Sequence, residues 1–216
     1  MARAAVSNQG TKVLFSNYLL ERLTRTHFLF PVILFYTLCV LMLLLSIFFT
    51  SSGFWVLLAL FFSGAFAFTL TEYLIHRFLF HFNANTDRKK KIQYLIHGVH
   101  HEFPKDKDRL VMPPVASVLL AVFFFSIFWL LMKESVFAFF SGFCFGYSTY
   151  LMIHYAVHRC KPPKNYLRIL WRHHALHHYR EDEGNYSVSF PFWDFFFRSN
   201  LKLKSRNDIK EAMNLL

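Results

Sequence analysis

Histidine is the residue type that could carry chemistry in this 216-residue chain. Of the 12 histidines, ten fall into four short motifs, HRFLFH, HGVHH, HYAVH and HALHH. Neutral imidazole binds zinc, copper, nickel and iron, whereas histidine adds little to the stability of a helix. The clustering therefore predicts a metal centre. The candidate ligands are His76, His81, His97, His100, His101, His154, His158, His174, His177 and His178.

The spacing within the motifs bears on how many ions they hold. Positions three or four apart share one helix face, whereas adjacent positions diverge by about 100° and do not readily chelate one ion. His76 and His81 are five apart and would diverge by about 140° on a straight α-helix. These angles favour two ions. The pairs able to share a face are His97 with His100, His154 with His158, and His174 with His178.

Long apolar blocks must position these motifs, since 55% of the chain is hydrophobic and 20% is aromatic. The blocks at residues 28–50, 54–76, 115–132 and 136–153 carry almost no charge. Each is long enough to cross about 30 Å of hydrocarbon at about 1.5 Å per residue. Only three residues separate the members of each pair. We therefore expect an all-α integral membrane protein with four transmembrane helices in two hairpins.

The charge distribution predicts the orientation. The net charge is +11, and Lys133 is the one basic residue in the two short connections. The positive-inside rule then places both termini and the segment between the hairpins in the cytoplasm, where all ten candidate ligands would form a histidine-rich helical cap. We expect a bacterial inner membrane, or the endoplasmic reticulum for a eukaryotic chain. No nucleic-acid partner is expected, because the basic residues match no binding module.

Other metal chemistries fit less well. Zinc hydrolysis would call for a glutamate base as in HEXXH, which the chain lacks, and its three cysteines form no metal motif. A membrane metal transporter would place its ionisable ligands at mid-membrane rather than at the ends of the spans. An imidazole-rich pair of irons beside a membrane instead suggests oxygen activation for attack on a C–H bond.

Five segments carry a family resemblance: EYLIHRFLFH at 72–81, HGVHHEFPKDKDRLVMPP at 97–114, HYAVH at 154–158, HHALHHY at 173–179 and FWDFFF at 192–197. The chain resembles the fatty acid hydroxylase superfamily of membrane di-iron enzymes, and within it the sphingolipid fatty acid 2-hydroxylases. This resemblance implies two irons, with zinc as a substitute in a purified sample, together with O₂ and two external electrons. The implied reaction hydroxylates carbon 2 of a fatty acid or of a sphingolipid N-acyl group. Desaturases and carotenoid or sterol hydroxylases share the scaffold and remain alternatives.

The resemblance also implies a division of the chain and of the ligands. It predicts a cytoplasmic segment at 1–27, a hydroxylase membrane domain at 28–200 and a cytoplasmic tail at 201–216. No cytochrome b5 domain precedes the first span, so we expect a separate donor, such as cytochrome b5 or ferredoxin with its reductase. One iron would be held by His76, His97, His100, His158 and His178, and the other by His81, His101, His154, His174 and His177.

A few further positions invite a role. Tyr150 is expected to be catalytic by donating to a substrate carbonyl, although Leu151 replaces the acid that follows this tyrosine in the family. Glu72 could accept a hydrogen bond from a ligating imidazole. Residues 187–197 would lie in the membrane interface and cap the metal chamber. His173 adjoins the last motif but has no place among the ten ligands.

Overall fold

Helices are the only regular elements in the part of the chain that the structure, a computed structural model, describes, namely residues 6–180, 183–201 and 206–215. The all-α prediction is confirmed. In the predicted cytoplasmic segments, residues 1–5, 202–205 and 216 lie outside the described residues. The α-helices are α1 (Tyr18–Leu23), α2 (Leu29–Phe49), α3 (Phe54–Leu74), α4 (Asp87–Gln93), α5 (Val99–Glu102), α6 (Pro114–Met132), α7 (Val136–Arg159), α8 (Arg168–Tyr179), α9 (Phe192–Phe196) and α10 (Arg206–Leu215).

Within the described residues, three helical stretches are long and apolar enough to cross a membrane. They cover Leu29–Phe49, Phe54–Phe80 and Pro114–Arg159, with 21, 27 and 46 residues. The last contains α6 and α7, which are separated by a 3₁₀ turn over Lys133–Ser135. Lys133 has a φ of +50°, a left-handed backbone conformation that interrupts regular helix. Large apolar side chains on these helices face outward, as expected of lipid-facing surfaces.

Helix α7 is the centre of the bundle, because α2 and α3 both make their extensive contacts with it. Gly64 of α3 and Gly142 of α7 allow the closest approach. The Phe139 carbonyl occupies the space of a Cβ at Gly64, and the Phe61 carbonyl does so at Gly142. Small residues permit such backbone contact between membrane helices, where burial from water gives no driving force.

The histidine motifs lie at one end of this bundle. Helix α3 continues as a π-helix over Ile75–Phe80, and a second π-helix over Tyr94–Gly98 joins α4 to α5. Helix α8 follows α7 after a short loop, and α10 packs against α8, where Ala212 is fully buried. Part of the predicted C-terminal tail is therefore a docked helix.

Arg109 fastens the N-terminal segment to the loop that follows α5. Its side chain is 4% exposed, and it donates to Glu21 Oε1 at 2.5 Å and to Thr24 Oγ1 at 3.2 Å. Asp106 lies 3.8 Å from the same guanidinium. The backbone adds a further tie, because Thr26 N donates to the Asp108 carbonyl at 2.9 Å. Residues 6–26 thus lie against the end of the bundle that carries the histidine motifs.

Candidate metal centre

The structure gathers the ten predicted ligands into two groups of five, and the potential ligand atoms within each group lie within 4.8 Å of one another. The first histidine group is His76, His81, His97, His101 and His177. The second histidine group is His100, His154, His158, His174 and His178.

This grouping corrects the division that the resemblance implied. That division separated His76 from His81 and His154 from His158, yet each pair shares a group. It did correctly separate the adjacent histidines, since His177 belongs to the first group and its neighbour to the second. Adjacent positions on a helix point in different directions, so each group receives one histidine from such a pair.

The π-helix at the end of α3 explains why His76 and His81 meet. The His81 amide donates to the His76 carbonyl at 3.1 Å, an i→i+5 hydrogen bond. A π-helix has more residues per turn than an α-helix, so residues five apart come onto one side. The two ring centroids are 5.0 Å apart. The divergence expected from a straight α-helix is therefore wrong here.

Ordinary helix spacing explains most of the remaining grouping. His154 and His158, four apart on α7, bring their Nε2 atoms to 3.3 Å, and His174 Nε2 of α8 lies 2.8 Å from His158 Nε2. His97 pairs with His101, at 3.0 Å between Nε2 atoms, rather than with His100. The predicted pairing of His97 with His100 is therefore wrong, because a spacing of four also allows a shared face and is the one that the structure uses.

Burial favours the neutral form of several candidate ligands. Eight of the ten are buried, with His81 and His101 partly exposed. Burial, reinforced by neighbouring histidines, lowers the pKa of His97, His174 and His178 well below the ordinary value of 6.5. Neutral imidazole is the form that coordinates metal, so these histidines are in the protonation state that metal binding requires.

Hydrogen bonding shows that the two groups fit metal ions. Both ring nitrogens of His100 and His178, and Nε2 of His177, are buried without a hydrogen-bond partner among the described residues. Leaving such a group unsatisfied costs about 1–3 kcal/mol. In each group one nitrogen of every ring converges with those of the other four. A cation bound by each group would satisfy that nitrogen of each ring.

An apolar cavity of about 410 Å³ ends at the histidines. Its lining comes from α3, α6 and α7, from the two π-helices and from the loop at 109–113, and the histidines at its wall are His76, His97, His100 and His154. Tyr150 also lines it, with its ring stacked on that of His154 at 5.6 Å between centroids. The volume is that of a small-ligand site, and the lining suits an apolar chain.

Glu72 lines the same cavity but has other partners than the predicted imidazole. Its carboxylate accepts hydrogen bonds from the Val188 amide at 2.6 Å, from the Ser189 amide at 3.0 Å and from the Ser189 hydroxyl. Glu72 therefore anchors the segment at 187–197 onto α3.

Sequence reasoning missed the backbone carbonyls that orient three of the candidate ligands. The His177 Nδ1 atom is 2.7 Å from the Gly184 carbonyl, His154 Nδ1 is 2.8 Å from the Leu110 carbonyl, and His76 Nδ1 contacts the Tyr186 carbonyl. A ring held in this way presents Nε2 to a metal. Carbonyls leave no trace in a sequence, but the lone acid in FWDFFF, Asp194, was a signal for the loop that supplies two of them.

Comparison with known proteins agrees with this geometry. The fatty acid hydroxylase family profile matches residues 61–199. The rat protein named fatty acid 2-hydroxylase is 38% identical over 148 residues, which are 67% of this chain and 40% of the rat protein. The ceramide very long chain fatty acid hydroxylase SCS7 of Saccharomyces cerevisiae is 40% identical over 146 residues, 66% of this chain and 38% of the yeast protein.

A solved structure shares the fold as well. The structure described as full-length scs7p with only the hydroxylase domain visible has a TM-score of 0.83 and 33% sequence identity. The match covers 91% of this chain and 75% of that chain. The chain spans about 40% of the length of the curated relatives named above. The matched profile includes all four histidine motifs, and the chain belongs to the fatty acid hydroxylase family.

Proposed function

We propose that this protein is an O₂-dependent monooxygenase that hydroxylates carbon 2 of a lipid acyl chain. The observation that carries the proposal is the pair of five-histidine groups at the end of an apolar cavity inside membrane-type helices. In the reaction, one atom of O₂ is inserted into a C–H bond to give C–OH. The other atom leaves as water after uptake of two electrons and two protons.

The ten histidines would hold two irons, five at each, and bound iron would supply the activation of O₂. Zinc can occupy imidazole sites but has no redox chemistry, so a zinc-loaded sample would be inactive. The electrons would come from a donor such as cytochrome b5 or ferredoxin with its reductase. The fit of the donor set supports iron, since imidazole suits this metal.

The chain's own residues would position the substrate. The apolar lining from α3, α6 and α7 binds the acyl chain and excludes water, which fixes one C–H bond near the histidines. Tyr150, next to His154 in the cavity wall, would donate to the acyl carbonyl. Relatives named for fatty acid and ceramide substrates support an acyl group of either kind.

We also propose four spans rather than three. A continuous helix of 46 residues would be about 69 Å long, more than twice the hydrocarbon thickness. The turn at Lys133–Ser135 would let α6 and α7 cross the membrane in opposite directions. The distribution of Lys and Arg then supports a metal centre on the cytoplasmic side.

Expression of the full chain with an electron donor, followed by mass spectrometry of lipids, tests the function. Acyl groups should gain the mass of one oxygen atom, and fragmentation should place it at carbon 2. Loss of two hydrogens would instead identify a desaturase. Metal flux across vesicles with unchanged lipids would identify a transporter, and an iron-loaded, reduced protein that leaves lipids unchanged would overturn the proposal.

A further inference from the structure

Asp194 is a buried carboxylate near the candidate metal centre, and its hydrogen bonds go to residues outside both histidine groups. It is 0% exposed. Its Oδ1 accepts from the Tyr186 amide at 2.9 Å and from the Ser199 hydroxyl at 2.8 Å. Its Oδ2 accepts from the Ser187 amide at 2.7 Å and from His173 Nε2 at 3.0 Å. One side chain thus fixes the loop at 184–199 at several points.

His173, the histidine outside the ten, ties this loop to α8. Its ring binds Asp194, and its carbonyl accepts a hydrogen bond from Asn185 Nδ2 at 3.1 Å. Asn185 has a φ of +55°, a left-handed conformation that asparagine tolerates better than most residues. His173 precedes the candidate ligand His174 in sequence but bonds away from the second group. Its contacts show a role in holding the loop.

The loop delivers two carbonyls to the first histidine group. Gly184 and Tyr186 flank Asn185, and their carbonyls accept from Nδ1 of His177 and of His76. Donation from Nδ1 leaves the lone pair on Nε2. His76 Nε2 lies 3.1 Å from His97 Nε2 within the first group, so the ring is held in the ligating orientation.

The second histidine group takes its carbonyl support from another part of the chain. His154 Nδ1 bonds to the Leu110 carbonyl, in the loop between α5 and α6. Loss of order in the loop at 184–199 should therefore affect one group and spare the other.

We propose that Asp194 and His173 are positioning residues that maintain metal binding in the first histidine group alone. They do so through the Gly184 and Tyr186 carbonyls that orient His177 and His76. This inference rests on the proposed dinuclear metal centre. It adds that the two ions depend on different loops.

The variant Asp194→Asn tests the role of the carboxylate at nearly constant side-chain volume. Either orientation of the new amide points its NH₂ group at a backbone N–H, that of Tyr186 or that of Ser187, so one amide loses its acceptor. The full chain is loaded with iron, and metal per chain is counted by mass spectrometry. We expect two ions in the unaltered protein and about one in the variant, with the remaining iron giving the resonance of an isolated ferric ion.

Two comparisons separate positioning from general damage. Asp87→Asn makes the same chemical change at a side chain that is 100% exposed, and it should retain two ions. His173→Gln keeps an N–H donor for Asp194 and should also retain two, whereas His173→Leu removes the donor and should retain about one. If Asp194→Asn does not fold, the comparison of His173→Gln with His173→Leu tests the same positioning role.

The outcomes distinguish the positioning role from the metal centre itself. Retention of both ions by Asp194→Asn and His173→Leu, with unchanged affinity, would overturn the positioning role. So would simultaneous loss of both ions from a folded variant, because that would show a common scaffold. An unaltered protein that binds fewer than two ions would contradict the metal centre itself, and this inference with it.

Discussion

His101 and His178 stack ring on ring, with centroids 4.2 Å apart and an interplanar angle of 16°, although they belong to different histidine groups. His101 comes from α5 and His178 from α8. The two groups therefore lie side by side and touch through these two rings. A substitution of either residue removes a ligand from one group only.

The adjacent residues His177 and His178 allow a direct test of the grouping. We expect His177→Ala to release the ion of the first group and His178→Ala that of the second, each leaving about one ion per chain. Hydroxylation should fall more than about a hundredfold in both. Even substitution of a residue that only hydrogen-bonds to a metal ligand lowers activity or metal affinity about 10–100-fold. Metal counting and lipid mass spectrometry provide the readouts.

A combined variant supplies the control for this prediction. His174→Ala with His178→Ala removes two ligands of the second group and should still leave one ion. His177→Ala with His178→Ala should leave none. Equal metal contents in the two double variants would refute the assignment of adjacent histidines to different ions.

Acid should destabilise the metal centre. Burial lowers the pKa of His97, His100 and His177 well below 6.5, so the unfolded chain binds protons at these positions before the folded one does. The free energy of unfolding should then be nearly constant above about pH 7 and fall as the pH drops below about 6.5. Melting temperatures of metal-free and iron-loaded protein between pH 8 and pH 5 measure this. Greater stability at pH 5 than at pH 8 would show that the buried imidazoles are charged.

The sequence was informative wherever a side chain itself carries the signal. Long apolar blocks predicted the membrane-type helices, and imidazole in four clusters predicted the residues that the structure brings together. It could not predict the grouping, because the meeting of His76 with His81 depends on a local π-helix. It predicted His100 as the partner of His97, whereas the structure pairs His97 with His101, four positions away.

The backbone carbonyls and the ion pair that support the site were harder to predict, for another reason. Carbonyls such as those of Gly184 and Leu110 are present at every residue, and only the folded loop selects them. Arg109 lies 3.8 Å from Asp106, a near neighbour in sequence, but its contact with Glu21 bridges 88 positions. Nothing in a local pattern indicates a partner at that distance.

The Arg109–Glu21 pair should hold the N-terminal segment in place. Arg109→Leu removes one donor from a carboxylate that is 15% exposed and that keeps its hydrogen bonds from Arg25 and two backbone amides, and we expect a loss of about 1.5–3 kcal/mol in the free energy of unfolding. Thermal unfolding in detergent measures the loss. Lys90→Leu breaks the exposed pair with Asp87 and should cost at most about 1 kcal/mol. Similar losses in both variants would show that Arg109 is not a special anchor.

The same pair should resist acid. Burial raises the pKa of Glu21, but hydrogen bonds from Arg25 and from backbone amides, with the charge of Arg109, outweigh burial and lower it to about 2. The ordinary value is 4.5, so the stabilisation is complete above about pH 4.5 and is lost between there and about pH 2. The effect of Glu21→Gln on stability should therefore be the same at pH 8 and pH 6.

Removal of the Tyr150 hydroxyl should slow turnover without disturbing the metals. Tyr150→Phe keeps the ring that stacks on His154 and deletes the group proposed to bind the acyl carbonyl. A hydrogen bond of this kind contributes about 0.5–1.5 kcal/mol, so kcat/KM should fall roughly three- to tenfold with two irons still bound. Unchanged kcat/KM would remove Tyr150 from the reaction. Loss of metal would indicate a structural role instead.

The depth of the cavity should set the length of acyl chain that is hydroxylated. Ala121 of α6 lines the cavity, whereas the next residue, Val122, is 58% exposed on the outer surface of the same helix. Ala121→Phe would place a ring in the path of a long chain, and overpacking of about 1–3 kcal/mol corresponds to a loss of roughly five- to 150-fold. Val122→Phe adds the same ring outside and should change nothing. Competition between short and long acyl substrates, followed by mass spectrometry, should therefore shift towards the short product in Ala121→Phe alone; an equal loss for both lengths would show that the chain takes another route.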